Sequence, residues 1–331
     1  AKPALPSAAP GLHQVQVHAV SPVSDRAVLL ELRPFPDSHA LSPYTAGAHV
    51  DLHLGQRLLR QYSLISMGPN QENYFVCVQR DNAGRGGSLA VHQRVRAGDT
   101  LHVSNPRNTF ALRNDNEPAL LLAGGVGITP LISMAEQLHN AGTDFELHAY
   151  ARNAHGLPLH AHLETRPYRE NIVQHFSDAG DSFRTSWPAT LTDPGSMRAL
   201  YVCGPPSFID LAISRATEAG WDPTDIMSEQ FTGHTGNSDA TASDTFTVVA
   251  ASTGQAMKVG PNDSIAEVLE RNGYETYRSC GEGYCGSCLT RVMAGTPEHR
   301  DVVQSDAEHA ANTQINVCCS RSRTPILELD I

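Results

Sequence analysis

The sequence predicts a multidomain chain: an antiparallel β-barrel domain, an α/β domain on a parallel sheet, and a small cysteine-bearing domain. Three observations carry that prediction. Over residues 13–79, short segments alternate apolar and polar residues between Gly, Pro and Asn punctuation, the pattern of a small antiparallel barrel. Over residues 118–138 a continuous apolar run gives way to a glycine-rich turn and then to helical periodicity, as when a parallel strand feeds a helix. Near the end, Cys280, Cys285 and Cys288 stand as C-x4-C-x2-C, with Cys318 thirty residues further on.

Composition narrows the class. A length of 331 residues suits two or three domains, and 40% hydrophobic with 18% charged residues is ordinary for a globular protein. A net charge of −11 argues against a nucleic-acid partner. No apolar run approaches the ~18 residues that cross a membrane. Four of the seven cysteines belong to the C-terminal pattern, leaving Cys77, Cys203 and Cys319. An odd, unpatterned remainder points to a reducing, cytoplasmic setting rather than a disulfide framework. Residues 1–11, rich in Ala and Pro, read as a disordered leader without the apolar core of a signal peptide. The chain on its own is expected to be a monomer.

The barrel domain is placed at 12–115, with strands expected at 13–20, 26–33, 48–54, 57–65 and 74–79. The fourth strand carries Arg60-Gln61-Tyr62-Ser63, and the fifth ends in Val78-Gln79-Arg80. Gly84-Arg85-Gly86-Gly87-Ser88 then opens a short helix running to Val95. Arg60 and Tyr62 are two apart and share a strand face. A forked cation and a glycine-rich helix start both suit a phosphate, and an aromatic wall suits a flat ring. An ordinary Arg and Tyr on a strand is the plain alternative.

The α/β domain is placed at 116–231. Strands are expected at 118–123, 145–151, 172–176, 200–203 and 226–231, and helices at 131–138, 158–165 and 207–219. Gly124-Gly125-Val126-Gly127-Ile128-Thr129-Pro130 links the first strand to its helix, the form of a dinucleotide-binding βα turn though not G-x-G-x-x-G. Asp178 closes the third strand, where a carboxylate accepts a ribose 2′-hydroxyl and repels a 2′-phosphate. Arg152 pulls the other way. Cys203-Gly204-Pro205-Pro206 ends the fourth strand. A small buried residue at a strand end is the plain reading of Cys203.

Residues 232–243, small and polar, read as a flexible linker. In the third domain, 244–331, strands are expected at 246–250, 257–259, 289–293 and 326–329. A helix is expected at 265–272, with Ile265, Val268 and Leu269 inward and Gly273 closing it. The cysteine spacing is the plant-type pattern for four thiolates around a [2Fe–2S] cluster. Gly281, Gly283, Gly286 and Ser287 let the backbone wrap a bulky core and aim N–H groups at sulfur. A structural zinc site would show two separated C-x2-C pairs. An extended chain cannot aim both Cys318 and Cys319 at one iron, and the spacing selects Cys318.

These motifs together resemble the phthalate dioxygenase reductase and vanillate demethylase reductase family, over residues 12–331. Arg60-x-Tyr62-Ser63 matches that superfamily's flavin signature R-x-Y-[ST]. GG-x-G-[IV]-[AT]-P matches its nucleotide turn and C-G-P-P its second nucleotide signature, and the third domain resembles a β-grasp plant-type ferredoxin. The resemblance implies FMN, NADH and a [2Fe–2S] cluster, with electrons passing from NADH to a terminal Rieske-type oxygenase. It implies that Arg60 pairs with the flavin phosphate, Tyr62 packs on the ring and Ser63 bonds near its reactive nitrogen. Gln61, Val78, Gln79, Arg80, Gly86, Gly87 and Ser88 complete the flavin site. Gly125, Gly127, Ile128 and Thr129 hold the nicotinamide dinucleotide, with Cys203, Gly204 and Pro205 bordering nicotinamide. Phe231, two residues after Glu229, is implied to stack on the flavin until nicotinamide displaces it. A reductase for a cytochrome P450 shares all three signatures; a non-catalytic iron–sulfur or zinc scaffold is the remaining alternative.

Overall fold

The structure is a computed structural model. It describes residues 12–36, 38–54, 58–68, 72–82, 86–114, 116–231, 245–261, 263–277, 281, 283, 286–301 and 303–331. The leader, the linker, Gly84, Arg85, Cys280 and Cys285 therefore lie outside the described residues. The described chain up to Phe231, apart from residues 58–59, forms one compact unit; the rest forms a second.

The first unit begins with β1 (Leu12–Ser24), β2 (Ala27–Pro34), β3 (His49–His53), β4 (Leu59–Ser63), β5 (Tyr74–Gln79), α1 (Gly87–Arg94) and β6 (Thr100–Ser104). The strands form a six-stranded sheet in the order β4-β3-β6-β1-β2-β5. A Leu64–Val76 bridge and a Leu64-adjacent bond, Ile65 N to Phe75 O at 2.9 Å, join its two edges. That closure removes the exposed edges an open sheet would carry. Period-two alternation fills the interior: Val15, Val17, Leu30, Leu32, Val50, Leu52, Val76 and Val78 are buried in one core. β1 runs past its expected end because two irregularities, near Val17/Ala19 and Pro22/Ser24, let a long strand bend while it stays paired to β2.

Next come β7 (Ala119–Gly124), α2 (Ile128–Ala141), β8 (Phe145–Ala151), α3 (His160–Glu164), β9 (Ile172–Phe176), α4 (Ala189–Thr192), β10 (Ala199–Gly204), α5 (Pro206–Glu218) and β11 (Ile226–Gln230). The five strands are parallel, in the order β11-β10-β7-β8-β9. The apolar run of β7 is buried on both faces. Ala119, Leu121 and Ala123 join the core with α2, and Leu120 and Leu122 join the core that contains Ile209 and Ala212 of α5. The helix expected at 158–165 shrinks to five residues. Leu159 takes a left-handed φ of 63°, which stops a helix from beginning earlier.

The second unit holds β12 (Phe246–Ala250), β13 (Ala256–Val259), α6 (Ile265–Arg271), β14 (Leu289–Ala294), β15 (Pro297–Glu298), α7 (Asp306–Ala311), β16 (Gln314–Asn316), β17 (Arg321–Ser322) and β18 (Ile326–Leu329). A mixed sheet runs β13-β12-β18-β14-β16, with β12 and β18 parallel, and β15 and β17 form a separate ribbon. Ile265, Val268 and Leu269 of α6 face a core with Phe246, Val248, Leu327 and Leu329. Both helices are short and begin with a capping box, Ser264 with Glu267 and Ser305 with Glu308. Each box satisfies two backbone donors that a helix start otherwise leaves open. Among the described residues, no helix is long and apolar enough to cross a membrane.

Candidate cofactor sites

The sheet order places one site by topology. Chain order reverses between β7 and β10, and ligands of open parallel sheets bind beyond the strand ends at that switch point. The two turns leaving those strands meet there. A Cβ on Gly127 would lie 2.1 Å from Cys203 O, and one on Gly204 would lie 3.0 Å from Gly124 Cα. Only glycines let these backbones approach so closely. Gly125 takes φ 56° and faces open space. The α2 start therefore presents backbone N–H groups, and the positive end of its dipole, to the crevice. Thr129 is buried and its Oγ1 donates to Val126 O at 3.0 Å, bracing the turn. Ile128 is fully buried behind it.

The crevice continues into a cleft of about 220 Å³ whose walls include Gly125, Tyr150, Asp181, Arg184, Pro205 and Phe208. Asp178 is not among its walls. Its carboxylate accepts from Arg152 Nε and Asn153 Nδ2, each at 3.1 Å. Those bonds, Asn153's first, hold the Asp178 carboxyl below its usual range. The two residues expected to act in opposition are thus one ion pair. Asp181, which the sequence reading passed over, reaches the cleft and hydrogen-bonds His175 Nδ1 at 2.7 Å. Tyr150 stacks on that imidazole at 4.1 Å.

Cys203 is completely buried, paired with Ala123 on one side and Glu229 on the other. Burial, and Glu229 beside it, push the Cys203 thiol well above its usual range. The Glu229 carboxyl is itself pushed up to about 8 by burial, and its Oε2 is buried without a partner. Near neutrality both groups hold their protons, so the strand end is uncharged. Phe231 packs against the core shared by Ile65, Ile128 and Cys203. The structure thus gathers Ile128, Cys203 and Phe231 on one apolar cluster.

On the barrel, β4 presents Arg60, Gln61 and Tyr62 half-buried and Ser63 buried. The side chain of Arg60 lies across Gly87, where a Cβ would come within 2.4 Å of its Cγ and Nε. Gly86 caps α1 with φ 81°. A guanidinium and an open helix start are therefore held together, a fit for a phosphate monoester. Ser88 Oγ accepts from Asp81 N at 3.0 Å, and Val78 O contacts His92 Nε2 at 2.9 Å, tying α1 to the end of β5. Arg80 N donates to Arg26 O at 2.6 Å and Gln79 ends β5 beside it. Burial pushes the Tyr62 phenol up. Gln61 Nε2 is buried without a partner.

The strand after Ser63 is fastened to α2. Ser133 Oγ donates to Leu64 O at 2.9 Å and accepts from Ser66 N at 2.8 Å. Arg166 donates to Ser66 O at 2.8 Å and to Glu136 Oε2 at 3.2 Å, and Tyr168 Oη donates to the same carboxylate at 3.0 Å. This buried network holds the R-x-Y-S strand against the helix that starts at the switch point. Nothing in the spacing of residues 64, 133 and 166 announces it.

In the second unit, Cys288 and Cys318 are buried. Asn316, fully buried, places Oδ1 3.4 Å from Cys288 Sγ, and its Nδ2 has no partner. Amide N and O are exchangeable in assignment. Turned about, Nδ2 would donate to a thiolate at Cys288, the charged form a cluster requires. Gly281, Gly283 and Gly286 have φ of 73°, 85° and 70°. The segment holding Cys318 and Cys319 is a turn rather than extended, with Ser320 N bonded to Asn316 O at 3.0 Å. Cys319 Sγ also faces the loop, within 2.5 Å of a Cβ placed on Gly283. The choice of Cys318 therefore rests on spacing, not on an extended backbone.

The fold and these sites define a pyridine-nucleotide oxidoreductase joined to an iron–sulfur domain. Residues 248–323 match the model of the 2Fe-2S iron-sulfur cluster binding domain. The chain is 39% identical over 295 residues to the vanillate O-demethylase oxidoreductase of Pseudomonas sp. (strain HR199 / DSM 7063), covering 89% of this chain and 92% of that one. It is similar to the solved structure of phthalate dioxygenase reductase, described as modular for electron transfer from pyridine nucleotides to [2Fe-2S] (TM-score 0.71, 31% identity, 97% and 98% of the two chains). It also resembles part of an intact type IV self-sufficient cytochrome P450 monooxygenase (TM-score 0.78, 30% identity), covering 99% of this chain and 43% of that longer one. The chain belongs to the family of oxygenase reductases that includes vanillate O-demethylase oxidoreductase and phthalate dioxygenase reductase. It is an oxidoreductase with the multidomain fold expected from its sequence.

Proposed function

We propose that this chain is the reductase component of a two-component Rieske-type oxygenase, taking hydride from NADH onto FMN and delivering single electrons through Cys280, Cys285, Cys288 and Cys318. The observation that carries the reading is the glycine-walled switch-point crevice, with the flavin-signature strand pinned to the helix beside it. Bound flavin exchanges two-electron hydride chemistry for the one-electron chemistry of a [2Fe–2S] centre.

The residues' own tasks follow from their environment. Arg60 and the α1 start bind a phosphate, Tyr62 supplies an aromatic wall, and Ser63, Gln61, Val78, Gln79, Arg80, Gly86, Gly87 and Ser88 shape the remainder. Gly125, Gly127, Ile128 and Thr129 offer backbone donors to a pyrophosphate. Cys203 stays a thiol, so it bounds the nicotinamide as an uncharged surface and does not act as a nucleophile. Phe231, with Gly204 and Pro205, excludes water from that end. For the nucleotide, Asp178 takes up the charge of Arg152 that would otherwise favour a 2′-phosphate, which supports NADH.

A visible spectrum of the anaerobic protein, before and after one equivalent of NADH, tests the chain of transfer. Flavin and thiolate-to-iron bands that both bleach support it; bleaching of the flavin alone defeats the cluster's place in it. A higher kcat/KM with NADPH would defeat the nucleotide choice. The match to part of a cytochrome P450 monooxygenase favours one second reading, a P450 acceptor. Reconstitution with purified Rieske oxygenase and with P450 haem domain separates the two.

A further inference from the structure

In the second unit, His299, Asp301 and His309 bring two imidazoles and a carboxylate together, with one ligand atom from each within 4.8 Å of the others. His309 Nε2 lies 3.2 Å from Asp301 Oδ2, and His299 Nδ1 lies 3.8 Å from Asp301 Oδ1. The rings are stacked, centroids 4.4 Å apart. The Asp301 side chain is 0% exposed and that of His299 9%. Both His299 Nδ1 and Asp301 Oδ1 are buried without a hydrogen-bond partner.

The surrounding bonds place a donor on one side of His299. Asn312 Nδ2 donates to Ala310 O at 3.1 Å, leaving Asn312 Oδ1 to accept from His299 Nε2 at 3.2 Å. With Nε2 as the donor, the neutral ring of His299 presents a bare Nδ1 to Asp301 Oδ1. In that form two buried acceptors face each other across 3.8 Å, an arrangement that costs free energy unless a proton or a cation lies between them. Asp301 Oδ2 accepts from Gln304 N at 3.0 Å and is also hydrogen-bonded to His309 Nε2 at 3.2 Å, a bond whose proton a bound cation would replace. Asn312 keeps its place at the end of α7 by adopting φ 51°, a conformation Asn tolerates better than most residues.

We propose that His299 Nδ1, Asp301 and His309 Nε2 form a site for a zinc-class divalent cation, separate from the four cluster cysteines. Two imidazoles and one carboxylate suit zinc, with water in the fourth position. An edge of a tetrahedral zinc site is roughly 3.3 Å, close to the two nitrogen-to-oxygen separations above. Asn312 is the outer partner that fixes the ring, as metal-bound histidines usually have. Such a cation would tie the start of the loop after β15 to α7. Gly283 of the cluster loop rests on that loop, since a Cβ there would lie 2.9 Å from Asp301 Cα.

The test is calorimetric titration of Zn²⁺ into chelator-washed holoprotein, with zinc and iron measured on the same samples. Expected is one zinc per chain, bound with iron retained and the cluster spectrum unchanged. His309→Gln should weaken zinc about 100-fold or more, and Asn312→Ala about 10-fold, each with NADH reduction of the cluster unaltered. No zinc uptake by wild type at 10 µM free metal, approximately the strength of adventitious surface sites, would overturn the proposal. So would unchanged affinity in His309→Gln, or zinc that enters only as iron leaves. If His309→Gln loses its cluster, Asn312→Ala carries the comparison alone.

Discussion

Two glycine-rich turns open helices in the first unit, and they use glycine for different reasons. At α1 the glycines make room for a side chain: Gly87 lies under Arg60, and Gly86 needs a left-handed φ. At α2 they make room for backbone: Gly127 lies against the Cys203–Gly204 peptide of a neighbouring strand. One turn gathers a side-chain cation and leaves the helix start open. The other locks two strand ends into a wall. A phosphate monoester can be held by the first arrangement, whereas a dinucleotide spanning two strands needs the second. The difference predicts that the α2 turn is intolerant of change and the α1 turn forgiving.

The largest effect should come from Gly127→Ala. Its Cβ meets backbone that cannot step aside, and we expect a loss of about 3 kcal/mol or more, read as a lowered denaturation midpoint with loss of NADH binding. Next is Glu229→Gln, beside that wall. A carboxyl raised to about 8 in the folded chain keeps a proton that the unfolded chain releases near its ordinary value. Stability therefore falls as pH rises from about 4.5 to 8. The Gln variant lacks this loss, so its unfolding midpoint should gain on wild type across that window, reaching on the order of 3 kcal/mol at pH 8 and above. A gap independent of pH would show that Glu229 is not the buried acid described.

Arg60→Ala should leave the fold intact and cost about 2 kcal/mol of flavin affinity, roughly 30-fold, measured by flavin fluorescence on dilution. Smallest is Gly87→Ala. The Arg60 stem can swing away, so stability should drop by less than about 1 kcal/mol while flavin affinity falls a few-fold. If Gly87→Ala proved as damaging as Gly127→Ala, the contrast between the turns would collapse.

Much of this was legible in the residues. The strands at 74–79, 145–151 and 172–176 coincide with β5, β8 and β9, because their apolar patterns have clear turn residues on both sides. α7 went unassigned although Ser305 and Glu308 spell out its capping box; at six residues it has too little periodicity to stand out. β15, β16 and β17 are shorter still, and their stability comes from partners far along the chain. The turns leaving β7 and β10 were legible because each needs glycine or proline at fixed offsets, whereas the β4 motif, on a strand, showed only through its resemblance to the flavin signature. What escaped was side-chain company: Arg166 with Glu136, Arg152 with Asp178, Asp301 with His299 and His309. Such pairings depend on fold geometry, and no local spacing encodes them.

Cys203 carries one last consequence, in chemical durability. A thiol beside redox chemistry in air would ordinarily be an early casualty of peroxide, because the thiolate is the form that peroxide attacks. This one has no solvent exposure and a pKa pushed well up, so its reactive form is scarce and out of reach. Ageing of the protein under aeration should therefore register first at exposed or half-buried sulfur such as Met293 or Cys319, and only later at the strand end where we propose that nicotinamide binds.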